Sequence, residues 1–198
     1  MDTEIIRRLR AALPMVREWI DLFVQDHASQ ARVISSLGFK RLPAFFHQEL
    51  LEQTKVVTVE RLPFPPLSRF GLPEFAAFEQ SVLEQARFTG ATFKDTVFIQ
   101  VGQQTSESLH FHELVHVVQW NRLGIDKFLI AYGVGLMQFG YEAYEASPLE
   151  QMAYSLQAQF EEGSLQPTLA TATEIETRTE AIWEPVASLL AAAAASGT

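Results

Sequence analysis

Two histidines and one glutamate within five residues constrain this chain of 198 residues more than any other feature. They are His112, Glu113 and His116, in the order His-Glu-Leu-Val-His. On a helix, residues four positions apart lie on one face, one turn apart, so both imidazoles can bind a single zinc ion. The glutamate would lie beside that metal, where it can accept a proton from metal-activated water. The motif therefore predicts a zinc-dependent hydrolase, and most directly a peptidase.

The residues around the motif predict that it lies on a half-buried helix. Thr105 or Ser106 can cap the N-terminus, Glu107 falls in the first turn, and Gly124 follows the last helical residue, Leu123. The apolar surface of this helix would come from Leu109, Leu114, Val117, Val118 and Leu123. The alternative is a core helix whose two histidines bind no metal.

Two histidines leave a zinc ion short of a protein ligand, because a catalytic site usually has three protein ligands and one open position. His27, His47 and His110 all precede the motif. The longer HExxHxxGxxH pattern is absent, since Gln119 and Arg122 occupy its last two defined positions. The natural third ligand is therefore a downstream carboxylate. The candidates are Asp126, Glu142, Glu145, Glu150, Glu161 and Glu162.

Glu150 is the preferred third ligand. Ser147 reads as the N-cap and Pro148 as the first residue of a second helix, which places Glu150 in the first turn. A carboxylate near a helix N-terminus stays ionised, as a metal ligand must. The same Ser-x-x-Glu spacing is also a capping box, in which Glu150 would only accept a backbone N–H. Glu142 and Glu145 are the alternative ligands.

The segment from about residue 109 to residue 154 resembles the glutamate-zincin (gluzincin) metallopeptidases. It is more closely similar to small bacterial zincin domains of unassigned function. Those domains carry a helix of the form HELxHVxQ, an aromatic-rich helix, and then a segment close to N-P-x-E-x-x-A-Y. Residues 112–119 and 147–154 match the first and last of these, with Ser147 where asparagine is common. The resemblance covers about a quarter of the chain.

The resemblance implies a site and a mechanism. His112, His116 and Glu150 would bind one Zn²⁺ ion per chain, and Glu113 would be the general base. In metal-assisted hydrolysis the metal polarises the scissile carbonyl and lowers the pKa of water toward neutrality. Glu113 would take a proton from the attacking water and deliver it to the leaving amine. The expected substrate is a peptide or protein.

The tetrahedral oxyanion of such a reaction usually needs a second donor besides the metal. Tyr141 and Tyr144 lie just upstream of the preferred ligand and are the candidate oxyanion donors. Tyr132, Tyr154 and His110 are the other hydrogen-bonding side chains near the motif in sequence. Taken one at a time, each tyrosine is more often a packing aromatic.

The expected fold class is α+β, a mostly helical zincin-like domain with a small β-sheet next to the active-site helix. Helices are predicted at residues 3–36, from Pro73, and at 105–123, 125–140, from Pro148, and 174–190. Pro14 predicts a kink or a break in the first of these. Strands are predicted at residues 55–62 and 92–101. The second strand could be a sheet edge that pairs with substrate backbone, or an interior strand with no ligand.

The length supports one domain, residues 1–198, with a sizeable core. We expect an N-terminal helical region (1–50), a metallopeptidase core (51–162), and a linker with a C-terminal helix (163–198). Residues 191–198 are expected to be a frayed tail.

Composition limits the partners. A net charge of −9 without a basic stripe argues against nucleic-acid binding. The apolar segment 125–140 is too short and interrupted for a membrane span, so no integral membrane segment is expected. No cysteine is present, which excludes a thiolate zinc site. The N-terminus shows no secretory signal, so the cytoplasm is the expected compartment, although export without an N-terminal signal stays open.

Two alternatives to a peptidase remain. One is a catalytically silent zinc-binding module with a structural or protein-interaction role, which the presence of Glu113 disfavours. The other is a metal-free helical protein whose hydrophobic groove binds a peptide or a lipid.

Overall fold

The fold is known from a computed structural model that describes the backbone of residues 3–85, 88–139 and 141–195. The side chains of residues 3, 81–85, 141–143 and 195 lie outside this description. The described helices are α1 (Thr3–Asp26), α2 (Gln48–Gln53), α3 (Ala76–Gln85), α4 (Glu107–Phe139), α5 (Pro148–Glu162) and α6 (Ala170–Ala195). The described strands are β1 (Arg32–Val33), β2 (Lys55–Val59), β3 (Gly90–Phe93) and β4 (Thr96–Gln100). The α+β class with a mostly helical chain and a small sheet is therefore confirmed.

The four strands form one mixed sheet in the order β1-β2-β4-β3. β2 and β4 are parallel and pair Val57 with Phe98, while β1 and β3 are antiparallel to their neighbours. The prediction of a single strand at 92–101 is wrong, because the chain turns at Lys94 and forms a hairpin. Lys94 has a φ of 57° and lies in the turn between the two strands. β3 ends just before it, at Phe93, and β4 begins at Thr96. β3 consequently lies at the sheet edge and β4 in the interior.

The N-terminal helix is shorter than predicted. α1 ends at Asp26, and the chain then forms 3-10 turns and β1 instead of a helix to residue 36. Val33 and Ile34 are β-branched, and their segment pairs with β2, where the backbone hydrogen bonds of a strand replace those of a helix. Of the kink or break predicted at Pro14, the break does not occur, because α1 continues through this residue, which lies on its exposed side.

Helix α4 consists of two helical segments joined at Gly124. This glycine has φ 71° and ψ 169°, which is not a helical conformation. The predicted boundary between helices 105–123 and 125–140 is therefore confirmed. Trp120 and Phe128 stack across the joint, with ring centroids 3.9 Å apart. The first segment packs against α5, and Trp120 donates a hydrogen bond to the carbonyl oxygen of Thr92 in β3 (3.1 Å).

The C-terminal helix is longer than predicted. α6 begins at Ala170, where the Thr171 hydroxyl donates to the Thr168 carbonyl (2.8 Å), and it continues to Ala195. The expected fraying is thus wrong for residues 191–195, and residues 196–198 lie outside the described residues. No helix in the described part of the chain is both long enough and apolar enough to cross a membrane.

We expect Gly124→Ala to destabilise the protein by about 1–3 kcal/mol, because its combination of φ and ψ is essentially restricted to glycine. Nothing lies within 4 Å of an added Cβ, so the cost is backbone strain and not a clash. Urea denaturation measures this. Gln138→Ala, at an exposed position of the same helix, is the control and should stay within about 0.5 kcal/mol of the parent. Equal stability of both variants would contradict the strain.

Candidate metal centre

The structure brings His112, His116 and Glu150 together, although the last two lie 34 positions apart in the sequence. The two histidines project from the first segment of α4, and Glu150 projects from the first turn of α5. The Nε2 atoms of the two histidines lie 3.1 Å apart, and the Oε2 atom of Glu150 lies 3.5 Å from each of them. All three side chains are buried.

The spacing of these three atoms fits a zinc ion. Zinc–nitrogen and zinc–oxygen bonds of about 2.0–2.2 Å in a tetrahedron separate neighbouring ligand atoms by about 3.3–3.6 Å. The measured separations of 3.1, 3.5 and 3.5 Å are close to those values. Two Nε2 atoms that face each other also need a proton or a cation between them. The described residues supply three candidate ligands, so a tetrahedral ion held by them would have its fourth position open.

Glu150 does not act as a capping residue. The backbone N–H of Ser147 donates to the Tyr144 carbonyl (2.8 Å), and the Ser147 side chain makes no cap hydrogen bond. The carboxylate of Glu150 instead accepts from the Tyr132 hydroxyl at Oε1 (2.7 Å) and turns Oε2 toward the histidines. Burial raises the pKa of Glu150, but the opposing charge of His116 and the contacts with both imidazoles lower it well below its usual range. The carboxylate is therefore ionised.

Gln119 fixes the orientation and the tautomer of His116. Its Nε2 donates to the Leu149 carbonyl (3.1 Å), so its Oε1 faces the Nδ1 of His116 at 2.8 Å. An amide oxygen only accepts, and Nδ1 must therefore carry the proton. In the neutral imidazole, Nε2 then presents its lone pair to the cluster, as a metal ligand requires.

Glu113 is held next to this triangle by the sheet edge. Its Oε2 accepts from the Thr92 hydroxyl at 2.6 Å, and a Cβ at Gly90 would overlap its Oε1. Glycine in β3 thus leaves the room that the carboxylate occupies. Burial raises the pKa of Glu113, and the neighbouring His112 and His116 oppose that shift. A raised pKa brings a carboxylate closer to the range suited to a general base near neutral pH.

The tyrosines differ in their relation to the cluster. Tyr154 packs edge-on against the His112 ring, with centroids 4.5 Å apart, and its hydroxyl lies 2.5 Å from that of Tyr144. Tyr144 is buried, and it lines the same cavity as His112 and Tyr154. The side chain of Tyr141 lies outside the described residues, and Tyr132 binds Glu150.

Among the described residues, the alternative third ligand Glu145 does not join the cluster. Glu145 is exposed, and the side chain of Glu142 lies outside the described residues. His110 is buried, with its Nδ1 2.8 Å from the Ser106 carbonyl oxygen, and it is not part of the cluster.

The sequence predicts no role for Thr92, Gly90 or Gln119, and among the possible oxyanion donors it favours neither Tyr132 nor Tyr154. The sequence does contain a signal for Gln119, because it lies one helical turn after His116 and the two side chains can therefore meet. For Thr92 the only signal is its place in the predicted strand 92–101, and Gly90 precedes that strand, because the contacts of both residues with Glu113 are tertiary.

The protein-family models, the curated proteins and the solved structures that were compared with this chain contain no match to it.

The metal-free protein should lose stability as the pH rises. Burial lowers the pKa of His116, but the Glu150 carboxylate outweighs it and raises this pKa to about 9 from an ordinary 6.5. The folded pKa is the higher one, so the stabilisation is fully present below pH 6.5 and is lost as the pH rises through 9. The expected loss is about 3 kcal/mol, measured by urea denaturation of chelator-treated protein. His116→Gln should remove this pH dependence of the free energy of unfolding, and the control His27→Gln should keep it. A free energy of unfolding of the parent protein that does not change between pH 6.5 and 9 would contradict the prediction.

Proposed function

We propose that this protein is a zinc-dependent peptidase that uses a glutamate as general base. The observation that carries the proposal is the buried triangle of His112, His116 and Glu150 with the carboxylate of Glu113 beside it. The matching ligand separations support zinc as the metal. The resemblance of residues 109–154 to gluzincins points to the same chemistry.

Each residue has a separate task in this proposal. A bound zinc ion would supply the Lewis acid that polarises the scissile carbonyl and acidifies water. Glu113, held by Thr92, accepts the proton of the attacking water and passes it to the leaving amine. Tyr154 donates its hydroxyl hydrogen to the oxyanion, and Tyr144 positions that hydroxyl. Gln119 keeps His116 in the tautomer that binds the metal.

The surroundings favour catalysis over a purely structural metal site. Structural zinc sites normally have four protein ligands, whereas the described residues here supply three. His112, Glu113 and Glu150 also line a cavity of about 230 Å³, which gives a substrate access to the centre. A structural site would have no use for a buried carboxylate in the position of Glu113.

Metal content and peptide hydrolysis should separate the ligand from the base. We expect near-stoichiometric zinc in the parent protein and its loss in Glu150→Ala. Glu113→Gln should retain zinc but lose activity by about 10²–10⁴-fold, because the proton acceptor is removed. Glu145→Ala, an exposed carboxylate close by in sequence, is the control and should keep both.

Other outcomes of the same experiment have distinct meanings. Zinc retained in Glu150→Ala but lost in Glu145→Ala or Glu142→Ala would move the third ligand. Zinc in the parent without hydrolysis of any peptide in a library would indicate the silent module. Hydrolysis that survives Glu113→Gln would contradict the mechanism. A parent protein that takes up no zinc would leave a helical binding protein.

Tyr154→Phe should lower kcat by about 10²-fold with little change in KM, because the hydroxyl acts only on the oxyanion. Tyr144→Phe should have a smaller effect, since it removes the partner of that hydroxyl and not the donor itself. Steady-state kinetics on a peptide substrate measures both, and zinc content confirms that the metal site is intact. An unchanged kcat in Tyr154→Phe would exclude it as the donor.

A further inference from the structure

The cavity at the metal centre has apolar walls beyond the metal-binding residues. One wall is a stripe on α1 that is formed by Leu9, Ala12, Leu13 and Val16. These positions follow the i, i+3, i+4, i+7 spacing of a single helix face. Phe78 of α3 and Leu136 in the second segment of α4 contribute to other walls. The N-terminal helix is thus part of the same cavity as the ligands of the proposed metal.

The charged groups that line this cavity belong to the metal centre. Among the described lining residues, the carboxylates are Glu113 and Glu150, and none of these residues is lysine, arginine or aspartate. A free carboxylate or a phosphate is normally bound by arginine or lysine. A charged side chain cannot be buried against apolar walls without a partner. The cavity therefore selects an uncharged, apolar group.

The cavity is large enough for a bulky group. Its volume is about 230 Å³. An apolar protein cavity of about 150 Å³ is already able to bind benzene. A phenyl ring or a long branched aliphatic side chain therefore fits, whereas a methyl group would leave most of the space unfilled.

We propose that this cavity is the binding pocket for a bulky apolar side chain, aromatic or long aliphatic, of a substrate residue next to the scissile bond. The proposal rests on the peptidase function proposed above. Its grounds are the wall shared with the metal centre, the absence of cationic lining residues within the described chain, and the volume. Ala12 is buried in the α1 wall, and its small side chain leaves part of that space open.

A pair of alanine variants tests the pocket. Ala12→Leu adds three carbon atoms at the cavity wall, whereas Ala11→Leu makes the same change at the neighbouring, exposed position of α1. Calorimetry compares the binding of acetohydroxamate, 3-phenylpropanohydroxamate and dodecanohydroxamate to the zinc-loaded protein. Toluene is added to the metal-free protein, and its effect on Tm is a second readout that needs neither zinc nor activity.

We expect 3-phenylpropanohydroxamate to bind the parent protein and Ala11→Leu at least tenfold more tightly than acetohydroxamate, because the ring is buried. Ala12→Leu should reduce that ratio to below threefold. Toluene should raise the Tm of the parent and of Ala11→Leu but not of Ala12→Leu. A peptide library should show the same preference for phenylalanine or leucine over aspartate, lysine and glycine.

Several results would overturn the pocket. The first is equal affinity of the parent protein for acetohydroxamate and 3-phenylpropanohydroxamate. This result does not depend on how well the variants fold. Tightest binding of dodecanohydroxamate would assign the cavity to an acyl chain instead. If the chain takes up no zinc, the peptidase proposal fails separately, and toluene then decides whether the cavity accepts an apolar group. No effect of toluene on the parent would refute the pocket in either case.

Discussion

The contact of one buried carboxylate with two buried imidazoles is the constraint on which the site depends. Glu150 belongs to α5, and its two histidine partners belong to α4, so the contact requires the N-terminus of α5 to meet the middle of the first segment of α4. Gln119 joins the same two helices through the Leu149 carbonyl. Burying this many polar groups is costly unless each has a partner. Contacts of this kind supply partners for the Glu150 carboxylate and for both nitrogens of His116, whereas the buried Nδ1 of His112 has no hydrogen-bond partner among the described residues. A cation would balance the charge of the two carboxylates.

The second support of the site comes from the sheet. Thr92 binds the carboxylate of Glu113 through its hydroxyl and the indole of Trp120 through its carbonyl oxygen. The edge strand β3 thus contacts the same helix at two positions, seven residues apart. Its position at the edge leaves one side of β3 without a neighbouring strand among the described residues. The proposed base is thus held by a strand of the sheet, and it also lines the cavity.

The sequence was sufficient for those parts of the site that depend on local geometry. Residues four apart on a helix share a face, so the pairing of His112 with His116 needed only a helix prediction. Glu150 required more, because its spacing is equally that of a capping box, and only the tertiary contact with α4 separates the two. The hairpin at Lys94 was missed since the residues on both sides have strand propensity and the turn contains no glycine or proline. The role of Gly90 depends on a side chain 23 residues away, which no local pattern records.

The non-helical conformation of Gly124 connects these parts. His116 and Tyr132 both contact the carboxylate of Glu150, one at each oxygen. They are sixteen residues apart, and a straight helix with a rise of 1.5 Å per residue would separate their Cα atoms by about 24 Å. Two side chains cannot meet one carboxylate across that distance, so the helical path has to change direction between them. The same argument applies to the stacked rings of Trp120 and Phe128, which a straight helix would place about 12 Å apart along its axis. The joint at Gly124 therefore allows a single stretch of chain to supply the two histidines of the cluster from one segment. The other segment supplies the hydroxyl that orients Glu150 and a wall of the cavity.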